Sequence, residues 1–275
     1  MKTWEIAEIA ELKPHLTIDL QRVKEVQKDM LCTDLIQKAL TVDRRTKVII
    51  NGHHRYQAIR ELGYGKIPVW YVDYLEDDGI AFSRTSAVQD KRRILEAGST
   101  GRLLPQNAAL HFVSGEAANF SEPDCCVPLD RLKTRVFTVG VFDLFHLGHM
   151  NLLKAAQRLG QYLIVGVQYN VEKYKAARIF YDFEQRIDII RSLRFVDLAV
   201  PYEGVDTRIQ ELEFDIFAKG PDQCHAGFQR ALQYCAQHGK QVMTLPRTQN
   251  ISATALRKGL EEVQALEQRV VPLVA

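Results

Sequence analysis

The sequence predicts an α/β protein with a C-terminal doubly wound parallel sheet and a smaller N-terminal α+β domain. Three observations support this. In the C-terminal half, strand-like and helix-like patterns alternate along the chain. The N-terminal half is less regular. Between the halves, residues 114–133 are rich in serine, glycine, proline and cysteine, which is typical of an irregular connection. We therefore predict a first domain over 1–113, a linker over 114–133 and a second domain over 134–275.

The elements of the C-terminal domain follow from its apolar periodicity. The predicted strands are 135–141, 162–168, 196–200, 215–219 and 241–245, and the predicted helices are 148–159, 182–193, 226–238 and 252–268. Alternation of this kind implies parallel strands joined by right-handed crossovers. Ligands of such sheets bind beyond the carboxyl ends of the strands.

The N-terminal domain gives a weaker pattern. Its predicted helices are 20–31, 34–40 and 57–62, and its predicted strands are 47–50 and 69–74. We interpret this mixture as a small α+β domain.

Composition excludes several classes of protein. The chain has 275 residues with 36 basic and 34 acidic side chains, so charge gives no reason to expect nucleic acid or membrane binding. It contains no apolar run near the ~20 residues of a membrane span, and residues 1–5 lack the apolar core of a signal peptide. Five cysteines without a CxxC pair indicate reduced thiols and a cytoplasmic protein. Cys224 and His225 could ligate a metal, although a surface loop is the interpretation we favour.

Residues 138–149 are the most informative segment. A β-prone apolar run stops at Phe142-Asp143, and His146-Leu147-Gly148-His149 then leads into a helical pattern. The free N–H groups and positive dipole end of a helix N-terminus favour phosphate. Two imidazoles there could donate hydrogen bonds to phosphate oxygens, and we expect Gly148 to let a ligand approach the backbone.

Residues 134–260 resemble the cytidylyltransferases of the glycerol-3-phosphate and ethanolamine-phosphate type. The segment 140–149 matches the family's first signature, and 247–254 resembles its second, Arg-Thr-x-x-Ile-Ser-[ST]-Thr. Asn250 stands where that family usually has glycine, and Ala253 replaces a hydroxyl residue. The resemblance implies a Rossmann-like HxGH nucleotidyltransferase that acts as a homodimer, with Mg²⁺ carried by the nucleotide phosphates and metal ligands from the protein unknown.

The same resemblance implies roles for individual residues. Those implied as catalytic are His146, His149, Lys173 and Lys175. Those implied as nucleotide-binding are Gly140, Phe142, Asp143, Gly148, Lys219, Arg247, Ile251, Ser252 and Thr254.

The N-terminal half contains a second strand-turn-helix pattern with anion-binding chemistry. Its candidate phosphate or substrate site is Asn51, Gly52, His53, His54 and Arg55. Residues 8–112 resemble the ParB/sulfiredoxin superfamily, most closely its free-serine kinase branch. A sulfiredoxin would need cysteine at the place of His53, and a partition ParB protein would need a helix-turn-helix after residue 74, which the sequence does not show.

The sequence lacks the two carboxylates that a serine kinase of this branch is expected to have. That branch usually has aspartate where this chain has Asn51, and an acidic residue where this chain has Leu16. A hydroxyl nucleophile benefits from a carboxylate base, and Asp19 or Glu25 could substitute. The domain is then either an active kinase or a degenerate domain that binds the acceptor or supports the dimer.

Three functional hypotheses result. The first is transfer of CMP from CTP to a small phosphorylated alcohol, with O-phospho-L-serine as the best candidate and pyrophosphate as the product. The second adds a serine kinase step in the N-terminal domain. The third is a nucleotide-sensing protein without turnover.

Overall fold

A computed structural model of the chain describes residues 3–76, 80–84, 90–106, 108–113, 122–171, 179–249 and 251–270. The chain divides into two compact units, 1–133 and 134–275. The second unit begins at Thr134, the residue where the second domain was predicted to begin.

The first unit is built around a mixed sheet of four strands in the order β1-β5-β3-β4. Strands β2 and β8, and strands β6 and β7, form two further antiparallel pairs. The strands are β1 (Glu5–Glu8), β2 (Leu35–Lys38), β3 (Leu40–Asp43), β4 (Ile49–Asn51), β5 (Lys66–Val72), β6 (Ile80–Arg84), β7 (Ala109–Val113) and β8 (Asp124–Pro128). The helices are α1 (Leu20–Thr33), α2 (His53–Glu61) and α3 (Lys91–Thr100), with 3-10 turns at Ile9–Glu11 and Leu129–Leu132.

The predicted helix over 34–40 is wrong. Asp34 takes a left-handed conformation (φ 54°) that ends α1, and the chain continues as β2 and β3. Ile36 and Leu40 are fully buried on these strands. Their spacing of four residues suits a helix face, but Ile36 pairs with Val127 on β8, a partner that local periodicity cannot reveal.

The predicted linker over 114–133 is wrong in its second half. Residues 124–128 form β8, and 129–132 form a 3-10 turn. Val127, Leu129 and Leu132 are buried in the main apolar core of the first unit, so this segment stabilises that unit. Its prolines, Pro123 and Pro128, lie just before the strand and at its end, where a missing N–H is tolerated. Residues 114–121 lie outside the described residues.

The second unit is a five-stranded sheet in the order β11-β10-β9-β12-β13, and every neighbouring pair is parallel. The predicted doubly wound α/β fold is confirmed. The strands are β9 (Arg135–Gly140), β10 (Tyr162–Gln168), β11 (Leu198–Tyr202), β12 (Ile216–Lys219) and β13 (Gln241–Thr244). The helices are α4 (Leu147–Gln157), α5 (Phe183–Arg191), α6 (Val205–Glu211), α7 (Ala226–Gln237) and α8 (Ala253–Val270).

Side chains of β9 alternate between two apolar cores, one on each face of the sheet. Val136 packs into one cluster, and Phe137 and Val139 pack into the other. The chain leaves β9 toward β10 and β11, then returns to β12 on the other side. The carboxyl ends of β9 and β12 therefore border the point where the strand order reverses, which is where such sheets bind ligands.

All five cysteines are free. Among the residues that the structure describes, no helix combines the length and apolar character needed to cross a membrane.

Candidate functional site

The turn after β9 has an unusual backbone. Phe142 and Leu144 both have positive φ angles, 55° and 45°, which are uncommon for residues with a side chain. Gly140 makes this turn possible, because a Cβ there would lie 2.7 Å from the Phe142 ring. The turn carries the chain from the centre of the sheet to the first residue of α4.

His146 is the N-cap of α4. Its Nδ1 accepts a hydrogen bond from the Gly148 N–H at 3.0 Å. In the neutral ring the proton is therefore on Nε2, which is left as a donor. Burial, and secondly the charge of Arg247, hold the pKa of His146 below its usual range. The site thus presents a neutral imidazole with a defined tautomer near neutral pH.

His149 lies one turn into α4 and stacks on His146. The two ring centroids are 3.9 Å apart and the planes differ by 16°. The edge of Phe142 contacts the His149 ring at a centroid distance of 5.3 Å. The strained turn therefore fixes the orientation of both imidazoles.

Gly148 also has a packing role beside the one expected. A Cβ at this position would lie 2.8 Å from Cε1 and 2.9 Å from Nδ1 of His146. Glycine is needed so that the His146 ring can fold over the helix end, and the expected approach of a ligand to this backbone stays a prediction.

The second signature forms the entry to α8. The Ser252 hydroxyl accepts a hydrogen bond from the Ala255 N–H at 3.1 Å, as an N-cap does. The Thr248 hydroxyl accepts from the Asn151 amide on α4 at 3.1 Å. This bond links the segment to the helix that carries the two histidines. The N-termini of α4 and α8 therefore border one space.

That space is a cavity of about 410 Å³ at the carboxyl end of the sheet. Ten of the residues predicted for the nucleotidyl-transfer site line it: Gly140, Phe142, Asp143, His146, Gly148, His149, Arg247, Ile251, Ser252 and Thr254. Lys173 and Lys175 lie outside the described residues, as does Asn250.

Asp143 lines the cavity, but its carboxylate already accepts hydrogen bonds from other groups of the protein. The carboxylate is 2% exposed and accepts hydrogen bonds from the N–H groups of Phe180 and Tyr181 and from Arg257 at 3.0 Å. Burial acts to raise the pKa of Asp143, but these donors outweigh burial and hold the pKa below its usual range. Asp143 therefore joins the turn after β9 to α8 and to the segment before α5.

Lys219 is not among the residues that line the cavity. Its ammonium group donates to the carbonyls of Gly220 and Gln223, at 3.1 and 3.4 Å. Gln223 in turn donates to the Val139 carbonyl at 2.9 Å. Lys219 thus shapes the loop after β12, and its predicted contact with nucleotide stays a prediction.

Arg186 is a structural residue that the site prediction omitted. Its guanidinium is 2% exposed and donates to the carbonyls of Val141 and Gln168, both at 2.7 Å, and of Tyr181 at 3.1 Å. It thereby connects the ends of β9 and β10 to the segment before α5. Burial lowers its pKa, and an arginine in an amphipathic helix gives no sequence signal for such a role.

Among the other cavity residues, Tyr202, Gln223, His225 and Arg257 were not assigned to this site from the sequence, although His225 was considered as a metal ligand. Arg257 lies five residues after Ser252 on α8, and a helical projection of the second signature could have found it. Tyr202 is the last residue of β11, Gln223 lies in the loop after β12, and His225 is the N-cap of α7. Periodicity does not indicate which residues at such positions line a cavity.

Cys224 and His225 do not belong to a larger group of metal-ligating side chains in the part of the chain that the structure describes. Among the described residues there is no cluster of three or more histidine, cysteine or carboxylate side chains that could hold a metal ion. His225 is the N-cap of α7, and its ring lies edge-on to Phe228 at a centroid distance of 4.8 Å.

The candidate phosphate or substrate site of the first unit, residues 51–55, which we call the cradle, is largely occupied by groups of the chain itself. Gly52 takes a left-handed conformation (φ 98°) and begins α2 four residues earlier than predicted. Nη1 of Arg55 donates to the carbonyls of Lys38 and Ala39, at 3.0 and 3.1 Å, and Nη2 pairs with the carboxylate of Glu122. The guanidinium that was predicted to bind phosphate therefore holds β2, β3 and the segment before β8.

The two histidines of the cradle are also engaged. Nε2 of His53 accepts from the His15 N–H at 3.3 Å, and Nε2 of His54 accepts from the Asp19 N–H at 3.3 Å. Burial lowers the pKa of His15 to about 4, although its hydrogen bond to Ile49 acts in the opposite direction. The pKa of His54 is also lowered, chiefly by burial.

The remaining cradle residue and the two candidate substitute bases also have local partners. The Asn51 amide oxygen accepts from the Gly52 N–H at 2.9 Å. The Asp19 carboxylate caps α1 by accepting from the N–H of Gln21 at 2.8 Å. Glu25 pairs with Arg22 at 2.8 Å.

Comparisons with known proteins agree with the geometry of the second unit. Residues 137–259 match the family model described as cytidylyltransferase-like. Glycerol-3-phosphate cytidylyltransferase of Staphylococcus aureus is 35% identical over 132 residues, which is 46% of this chain and 94% of that protein. FAD synthase of Pyrococcus abyssi is 40% identical over 96 residues, 33% of this chain and 65% of that protein.

A solved structure of a free serine kinase in complex with AMP also matches, with 11% identity and a TM-score of 0.40 over 47% of this chain and 93% of that one. The resemblance of the first unit to the ParB/sulfiredoxin superfamily stays a prediction, because a likeness this weak does not test it. The family of the second unit is shown, because the Staphylococcus aureus relative is matched over nearly its full length. The chain belongs to the cytidylyltransferase-like family of nucleotidyltransferases.

Proposed function

We propose that this chain transfers CMP from CTP to a small phosphorylated alcohol and releases pyrophosphate. The observation that carries the proposal is the cavity itself. It brings the stacked His146 and His149 and the N-terminus of α8 to the carboxyl end of one parallel sheet. Two helix N-termini and two imidazoles form a suitable setting for a triphosphate.

The chemistry needs little covalent participation from the protein. A phosphate oxygen of the acceptor attacks the α-phosphorus, and the bond from that phosphorus to the pyrophosphate oxygen breaks. Catalysis then consists mainly of positioning and of stabilising the charge that develops on phosphate oxygens. Nε2–H of His146 supplies a neutral donor, and Arg247, 60% exposed at the cavity, supplies a cation.

Magnesium enters this proposal through the nucleotide. Asp143, the buried carboxylate of the cavity, is committed to backbone N–H groups and to Arg257, so it does not fit as a free ligand. Asp222, also at the cavity, is exposed and lies 3.7 Å from Arg247. We infer that the phosphates hold the ion, which neutralises their charge when bound.

Our first candidate for the acceptor is O-phospho-L-serine. Its support is the resemblance of residues 51–55 to the free-serine kinase branch, since a domain of that origin fused to a transferase suggests phosphoserine as the shared compound. Glycerol 3-phosphate is the alternative suggested by the Staphylococcus aureus relative.

A serine kinase step in the same chain has less support. Arg55 is paired with Glu122, and the carboxylates of Asp19 and Glu25 are used in a helix cap and a surface ion pair. The activity therefore requires a rearrangement of the cradle. Serine incubated with ATP or ADP under conditions where the transferase turns over tests for it, and phosphoserine as a product would support the bifunctional hypothesis.

The test of the main proposal is pyrophosphate release. CTP and ATP are each combined with phosphoserine, glycerol 3-phosphate and phosphoethanolamine, and the nucleotide-linked product is identified by mass. We expect release with CTP and one preferred acceptor. His146→Ala and His149→Ala should reduce turnover by about 10² or more. His238→Ala is the matched control, because that histidine bonds to the Tyr234 carbonyl on α7 and is not among the cavity residues.

Absence of release with any nucleotide and any acceptor would overturn the proposal. Tight nucleotide binding without product in the wild type would instead support the nucleotide-sensing hypothesis.

A further inference from the structure

Two adjacent cysteines of the first unit form a local irregularity of its sheet. Ile36 on β2 pairs with Val127 on β8, and Lys38 pairs with Asp124. One residue of β2 therefore lies opposite two residues of β8, Cys125 and Cys126. This arrangement is a β-bulge, and we call these two residues the cysteine bulge.

The backbone of the cysteine bulge is unusual. Cys126 has a φ of 46°, in the left-handed region that residues with a side chain rarely adopt. In a regular strand, adjacent side chains point to opposite faces of the sheet. A bulge breaks that alternation and re-aims a side chain, and bulges are commonly features with a function. The bulge therefore departs from the regular alternation that would place the two thiols on opposite faces.

The two thiols differ in exposure. Cys126 is exposed, whereas Cys125 is half-buried and its Sγ–H donates to the Ile36 carbonyl at 3.1 Å. Burial raises the pKa of the Cys125 thiol. The neighbouring Cys126 thiol acts in the same direction, and Arg55 acts against it. Cys126 is therefore accessible for a first reaction, and Cys125 lies within electrostatic reach of both Cys126 and the Arg55 guanidinium.

We propose that Cys125 and Cys126 form a dithiol site that binds a soft, thiophilic trivalent arsenical, whose arsenic atom bridges the two sulfurs. A direct disulfide fits less well, because adjacent Cα atoms are about 3.8 Å apart, whereas disulfides usually join Cα atoms about 4.4–6.8 Å apart. A bridging atom lengthens the link between the sulfurs and relieves that mismatch.

The reaction balances without a change of oxidation state. A monosubstituted arsine oxide, R–As=O, condenses with the two thiols, so that two arsenic–sulfur bonds form. The two S–H bonds and the arsenic–oxygen double bond break, and the oxygen leaves as water with both thiol protons. The Cys125 hydrogen bond to the Ile36 carbonyl is lost in this step, so binding also changes the contact between β8 and β2.

The test uses the full chain and phenylarsine oxide, with intact mass as the readout. We expect one adduct that persists in excess monothiol and is removed by a dithiol. The second thiol of a bridged pair binds intramolecularly, so retention should exceed that of a single cysteine by about 10². The exposed Cys32 and Cys224 have no adjacent cysteine, and the double variant Cys32→Ser/Cys224→Ser should retain the persistent adduct.

Cys126→Gly is the decisive variant, because glycine accepts the left-handed conformation and only the thiol is lost. Cys125→Ser is the second variant, with circular dichroism to show that it folds. Loss of the persistent adduct in Cys126→Gly supports the proposal. A persistent adduct that survives in Cys126→Gly, or its absence from the wild type, would overturn it.

Discussion

Replacing Gly148 by alanine should disturb the orientation of His146 while changing the stability of the fold very little. The added Cβ would lie 2.8 Å from Cε1 of His146, whereas ordinary contact begins near 3.4 Å. The ring must therefore move by at least about 0.6 Å, and the bond from the Gly148 N–H to Nδ1 is strained or lost. A shift approaching 1 Å in a catalytic group reduces turnover by about 10².

The effect on stability should be small. Gly148 is the second residue of α4, where alanine favours the helix by up to about 1 kcal/mol. Disturbing the His146 cap costs about 1 kcal/mol in the opposite direction. We expect kcat/KM for pyrophosphate release to fall by about 10², while the midpoint of chemical denaturation stays close to that of the wild type.

Gly259→Ala provides the matched control. It makes the same substitution within α8 at a position where a Cβ meets nothing within 4 Å. We expect unchanged turnover and a slight gain in stability. If Gly148→Ala folds and keeps wild-type turnover, the orientation of His146 is not needed for catalysis and the reasoning is refuted.

Three further predictions concern charged groups around the cavity. Arg186→Gln should lower the free energy of unfolding by about 3 kcal/mol, because three backbone carbonyls lose their bonds to a buried guanidinium; urea denaturation measures this, and a loss below about 1 kcal/mol would contradict it. Asp143 has a pKa held below its usual range, so its contribution is present above about pH 4 and is lost as the pH falls through the folded pKa. Asp143→Asn should therefore be less stable at neutral pH and lack that acid loss in denaturation at graded pH, and an unchanged pH profile would argue against the Arg257 pair. Burial, and then Arg247, lower the pKa of His146, so Arg247→Gln should shift the acidic limb of kcat/KM to higher pH; an unshifted limb would show that His146 does not set it.

The fold of the second unit could be predicted because its signals are local. Every strand and helix predicted there is present in the structure, with boundaries that differ by a few residues. Helix α6 was missed because it has only seven residues, with Val205 and Ile209 buried, too few to show a period. In the first unit, β2 was mistaken for a helix because its pairing with β8 joins distant parts of the chain.

In the candidate site, too, the features set by local sequence could be predicted and the long-range contacts could not. The two imidazoles and their place at a helix start follow from a local pattern, and the structure brings them to one cavity with the second signature. Local patterns do not show which partners the charged side chains bond to in the folded protein. Asp143 bonds to Phe180 and Tyr181, and Arg55 pairs with Glu122, across separations that the motifs do not span. Sequence reasoning identified residues with suitable chemistry but could not show which of them already bond to other groups of the protein.

Coupled detection of pyrophosphate and of the nucleotide-linked product tests the central claim most directly. The wild type is incubated with CTP and each phosphorylated alcohol, in parallel with His146→Ala and the His238→Ala control. The account predicts equal amounts of pyrophosphate and a CDP-linked product from the wild type and the control, and a loss of about 10² or more in His146→Ala. CTP binding by the wild type without either product, for every acceptor, would contradict it.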